Sequence, residues 1–101
     1  ERNMVIHFAA MSVVVVFGAL LRISATEWIA CVILFGAVFM AELLNTAIET
    51  VVDLVCPRKD PRAKLAKDTA AGAVLFMAIA AAVVGAIIFL PKILTLIENG
   101  L

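Results

Sequence analysis

The sequence predicts an all-α integral membrane protein with three transmembrane helices in one domain, residues 1–101. Of its 101 residues 65% are hydrophobic and the mean hydropathy is +1.18, whereas ordinary soluble domains are about 45–50% apolar. The apolar residues fall into three runs, each close to or above the ~17–20 residues needed to cross a bilayer. Between the runs stand short links with charge, and one of them carries two prolines.

The first span is expected over residues 4–22. Its polar interruptions are His7 and Ser12, and Arg22 closes it. A short link, Ile23-Ser-Ala-Thr-Glu27, follows. Thr26 is expected to cap the next helix, with Glu27 at the positive end of the helix dipole. The second span covers residues 28–55 and opens on Trp28, a residue suited to the membrane–water interface. Cys56-Pro-Arg-Lys-Asp-Pro61 breaks the pattern, because each proline disfavours helix at the residue before it. The third span runs over residues 62–90, is rich in Ala and contains Gly72 and Gly85, small residues that let membrane helices pack closely. Pro91 and Lys92 are expected to end it, leaving residues 93–101 as a short tail.

Basic residues orient these spans. Arg58, Lys59, Arg62, Lys64 and Lys67 cluster around the second link, whereas the first offers only Arg22. Lys and Arg accumulate on the cytoplasmic side, so the proline-containing loop and the N-terminus are expected in the cytoplasm of a bacterial cell, with the chain multi-pass in its plasma membrane. The formal net charge of zero gives no support to nucleic-acid binding. Cys31 and Cys56 lie about 25 helical residues apart, roughly 37 Å, too far for a disulfide within one chain. The chain opens on Glu-Arg-Asn rather than Met, which suggests missing N-terminal residues. Its first apolar run is too long for a signal-peptide core.

One stretch of the second span is not greasy all round. Glu42, Asn45, Glu49 and Asp53 are spaced three, four and four residues apart and share one helix face. With Trp28 at the outer interface and about 30 Å of hydrocarbon to cross, the inner boundary falls near residues 47–48. Glu42 and Asn45 then lie inside the inner leaflet, while Glu49 and Asp53 emerge toward water. Ionisable groups inside a span are expensive and normally face protein or a polar cavity. Carboxylates near the cytoplasm suit Mg²⁺, a hard cation that also bridges substrate phosphates. Lys64 and Lys67 are placed to meet phosphate, and a carboxylate at bilayer depth suits a general base for a buried hydroxyl. The combination fits phosphoryl transfer from a soluble nucleotide to a lipid alcohol, although neither a P-loop nor a kinase-type glycine-rich loop occurs.

At Glu42-Leu-Leu-Asn-Thr-Ala-Ile-Glu-Thr-Val-Val-Asp53, followed by Ala63-Lys-Leu-Ala-Lys-Asp-Thr-Ala-Ala-Gly-Ala-Val74, the sequence resembles the prokaryotic diacylglycerol kinase family of small membrane lipid kinases. The E-[IL]-[LI]-N-[ST]-A-I-E-x-V-V-D signature and the A-K-D element are both present, and the similarity is closest to the Gram-positive branch of undecaprenol kinases. The resemblance implies a homotrimer with active sites shared between subunits, using ATP and Mg²⁺. It implies that Glu42 takes the proton from the lipid hydroxyl with Asn45 beside it, that Glu49 and Glu1 ligate the metal, and that Asp53, Lys67 and Asp68 serve the nucleotide. It also implies an amphipathic surface helix ahead of the first span, which this chain would begin at or after. Ala71 and Gly72 stand where diacylglycerol-specific relatives carry Ser, which leans toward undecaprenol. His7 matches nothing in this scheme and reads as a structural residue.

Other readings are a diacylglycerol kinase, a small proton-coupled transporter, and a structural subunit. Transporters of that kind place their ionisable group near the midplane, whereas here the polar residues gather at one end and continue into a loop. A structural subunit leaves the polar stripe unexplained.

Overall fold

A computed structural model describes residues 2–100; Glu1, expected as a metal ligand, lies outside the described residues. Three α-helices follow one another, α1 (Arg2–Leu21), α2 (Ala25–Val55) and α3 (Pro61–Glu98). All three are long and apolar enough to cross a membrane. At 1.5 Å per residue the 20 residues of α1 extend about 30 Å, while the 31 and 38 residues of α2 and α3 reach about 46 and 57 Å. The molecule is correspondingly a rod, 59 × 22 × 17 Å.

The α1–α2 link is tight. Arg22 adopts a left-handed conformation (φ 56°) and the Ile23 amide donates to the Gly18 carbonyl at 3.1 Å. Ser24, rather than the expected Thr26, caps α2. Its hydroxyl accepts from the Glu27 amide at 3.1 Å, and the Glu27 carboxylate accepts from the Ser24 amide at 2.9 Å. Ser-x-x-Glu is a capping box that satisfies two orphan amides reciprocally, which a lone threonine at position 26 could not do.

At the second link Asp60 caps α3 and Pro61 takes its first position, where a missing N–H is harmless. The far end of α3 departs from expectation. The helix passes through Pro91 and continues to Glu98. Proline forfeits one intrahelical hydrogen bond, but Lys92, next along, is drawn onto the start of α2 by Glu27 (Nζ–Oε2 3.0 Å). Ile93, Leu94, Leu96 and Ile97 then carry the helix on to Asn99, with Gly100 following in a left-handed conformation (φ 78°).

Helix α2 packs antiparallel on α3, with α1 meeting α2 more sparsely. The Glu27–Lys92 pair closes one end of the α2–α3 contact and an Asp53–Lys67 pair (2.5 Å) closes the other. The 26 residues between Glu27 and Asp53 span about 39 Å, slightly more than the hydrocarbon thickness. Near the Glu27 end lies an apolar cluster of Ile23, Cys31 and Ile88, with Val14, Trp28, Phe35, Val84 and Phe89 around it. Trp28, expected at the membrane interface, is therefore a packing residue in this cluster. Elsewhere large side chains such as Phe76 stay exposed (80%), as lipid or another subunit would require. Cys31 and Cys56 are free thiols. Ser12 and Thr50 return their hydroxyls to carbonyls of their own helix, Phe8 and Thr46, at 2.9 and 2.8 Å, so neither needs a polar partner in lipid.

Two expectations follow from this framework. A Cβ on Gly18 would lie 2.7 Å from the Trp28 ring and 3.1 Å from Ile23, so Gly18→Val should destabilise the α1–α2 contact by roughly 1–3 kcal/mol. A detergent-solubilised Gly18→Val protein melting at the wild-type temperature would refute that contact. The Arg62 side chain, and then the Arg62 amide, hold the Asp60 carboxyl below its ordinary range. A depressed carboxylate stabilises the fold above its unfolded value and loses that contribution as pH falls through its folded value. The protection of the amides at residues 62–64, taken relative to their intrinsic exchange rates, should therefore fall on acidification below about pH 4, and Asp60→Asn should remove this dependence.

Candidate functional site

The polar stripe of α2 changes character along its length. Glu42 is the most enclosed large side chain described, 1% exposed, and Asn45 is 7% exposed. Asn45 Nδ2 donates to Glu49 Oε1 at 2.8 Å, so the amide orients the next carboxylate one turn along, while its own Oδ1 is buried without a hydrogen-bond partner among the described residues. Glu49 and Asp53 are exposed. Burial within the protein thus falls along the stripe from Glu42 to Asp53.

Glu42 is enclosed partly by α1. His7 Nε2 lies 3.6 Å from Glu42 Oε2. The imidazole stands edge-on to Phe39 (centroids 6.2 Å apart, planes at 83°), and Phe8 packs against the same ring at 4.8 Å. His7 is the neighbour that the sequence reading passed over. Periodicity within α2 cannot announce a contact from another helix; an ionisable residue inside the first span was the available signal.

Where α2 and α3 part, an open cleft of about 670 Å³ is lined by Asp53, Lys67 and Asp68, together with Arg58, Lys59, Asp60 and Lys64 from the loop and the start of α3. Lys67 pairs with Asp53, and Lys64 with Asp68 at 2.7 Å. All three expected nucleotide residues thus line one cleft beside three further cations, Arg58, Lys59 and Lys64. Glu42 and Asp53 are eleven residues apart, about 16 Å along α2, so the stripe connects an enclosed carboxylate to a charged, water-facing cleft. Among the described residues no three His, Cys, Asp or Glu side chains gather as a metal cluster. Of the two expected metal ligands, the structure describes only Glu49.

This arrangement joins two solvents. Its enclosed end suits abstraction of a proton from a group delivered through the membrane, and its open end suits a polyanion arriving from water. A model of the family described as prokaryotic diacylglycerol kinase matches residues 1–89. The chain is 47% identical over 93 residues to the undecaprenol kinase of Bacillus subtilis, covering 92% of this chain and 76% of that protein. It is 42% identical over 97 residues to a diacylglycerol kinase of Synechocystis, covering 95% of this chain and 55%, about half, of that protein.

Proposed function

We propose that this chain, which belongs to the prokaryotic diacylglycerol kinase family, transfers the terminal phosphoryl group of ATP to the hydroxyl of a membrane lipid alcohol, undecaprenol in preference to diacylglycerol. The observation that carries the reading is the enclosed Glu42 carboxylate, which shares one face of a membrane-spanning helix with Asn45, Glu49 and Asp53, the last of these lining a charged cleft. The preference for undecaprenol is supported by the higher identity to the relative of that name and by Ala71 and Gly72 in place of a Ser.

In this reading Glu42 takes the hydroxyl proton as the lipid oxygen attacks phosphorus, and Asn45 orients the group beside it. Arg58, Lys59, Lys64 and Lys67 offset the charge of the polyphosphate in the cleft, where Asp53 and Asp68 offer acceptors to donors elsewhere on the nucleotide. Phosphoryl transfer relies mainly on positioning and electrostatics, so no covalent role for a side chain is required. Mg²⁺ is typically held by one or two carboxylates together with substrate phosphates rather than by an all-protein cage. Glu49 fits that donor chemistry, being exposed and oriented by Asn45, and Glu1 would supply the second carboxylate. Bound there, the ion would neutralise charge on the transferring group. The cleft faces the cytoplasm, as does the N-terminus. Three copies form the working unit, with neighbouring subunits covering exposed apolar faces and completing the open end of each stripe.

Glu42→Gln should lower turnover by about 10²-fold or more while leaving assembly, followed by size-exclusion chromatography, unchanged; wild-type rates from the assembled variant would reject the base. Mixed micelles holding both lipids with MgATP should show faster phosphorylation of undecaprenol, and chelation of Mg²⁺ should stop it. Faster phosphorylation of diacylglycerol would reverse the preference, and phosphorylation of neither would reject the kinase reading.

A further inference from the structure

The proposed chemistry leaves a proton on Glu42, which must return to water before another turnover. Glu42 is 1% exposed, so direct exchange with bulk water is obstructed. Among the described residues an ionisable group beside it is His7 on α1, with Nε2 3.6 Å from Oε2 and a side chain 18% exposed. His7 is therefore intermediate between the enclosed acid and the solvent. Its ring is set by the edge contact with Phe39, which Phe8 supports from the other side. A separation of 3.6 Å is too long for a formed hydrogen bond, but such contacts in an unliganded site often tighten, or are bridged by one water, once substrate is bound.

We propose that His7 relays the substrate proton from Glu42 to water. The inference rests on the reading of Glu42 as the base. The step balances as follows. The lipid O–H bond breaks and its proton passes to the Glu42 carboxylate. The lipid oxygen bonds to the terminal phosphorus as the bond to the leaving ADP oxygen breaks, and that oxygen keeps the electron pair. Glu42 then gives its proton to Nε2 of a neutral His7, and the resulting imidazolium releases its Nδ1 proton to water. Glu42 returns as a carboxylate with no net change in the protein's charge. His7 touches neither lipid nor nucleotide in this scheme and acts through Glu42.

The chain contains a single histidine, so added imidazole can be used as a specific probe. His7→Ala and His7→Gln are compared with wild type in lipid–detergent micelles with MgATP. Both variants should lose about 10-fold or more in kcat, within the range of a positioned proton-transfer group, with KM for lipid and MgATP changed less than about twofold. Free imidazole should restore kcat several-fold in His7→Ala, where truncation leaves room for it, and do little for wild type. Retention of wild-type kcat in both variants overturns the relay. So does a loss of kcat that imidazole does not restore, or a loss expressed in KM, since either marks His7 as a packing residue. An inactive wild type, or an active Glu42→Gln, instead overturns the function on which the relay rests, so the two failures are distinguishable. For variants too poorly folded to assay, the ring-nitrogen resonances of His7 in wild type and Glu42→Gln decide the matter. They should differ between the two proteins, and identical resonances overturn the contact.

Discussion

A carboxylate can be held within a membrane span only if protein covers it, and the Glu27–Lys92 and Asp53–Lys67 pairs fix how that cover is arranged. They pin α2 and α3 in one antiparallel register from opposite ends. Between Asp68 and Lys92 α3 carries no charge, so the acids of the α2 stripe above Asp53 find no cation on that length of α3. A register slip of one turn would break both pairs and move Glu42 relative to that surface by about 5.4 Å. Exposed ion pairs contribute little stability individually. Their effect here is to select an alignment, with the apolar cluster around Cys31 and Ile88 packing between the helices near the Glu27 end.

The same register sets up the contrast between the two ends of the site. At the enclosed end, α1 brings the His7 imidazole to Glu42 and packs His7 and Phe8 on the Phe39 ring of α2. At the open end, two prolines force the chain out of helix and concentrate cations around a cleft. A charge transferred between such environments experiences different dielectric surroundings within about 16 Å of helix. That gradient is what a reaction joining an amphipathic lipid to a highly charged nucleotide needs.

Much of this was legible in the chain because it is written in local spacing. Glu42, Asn45, Glu49 and Asp53 announce a common face through their intervals, and three apolar runs announce three spans. What escaped depends on contacts distant in sequence or on competition between local signals. Pro91 reads as a terminator until Lys92 is seen to bond to Glu27, 65 residues away. Thr26 looks like a cap until Ser24 is paired with Glu27 as a reciprocal box, a pattern present in the sequence but passed over. His7 reads as an isolated polar residue because its partner lies on another helix. The Asn45–Glu49 bond joins neighbouring members of the stripe, and Asp53, Lys67 and Asp68 group about one cleft; their roles are the subject of the proposals.

Helices α2 and α3 are pinned to each other at both ends, whereas α1 meets the bundle only sparsely. A thicker or thinner membrane is therefore felt first by α1, the element least tightly bound to the rest. Mismatch is relieved by tilting or sliding the short helix, and its N-terminal half carries His7. The bilayer's own thickness is thus a mechanical input to the contact between His7 and Glu42.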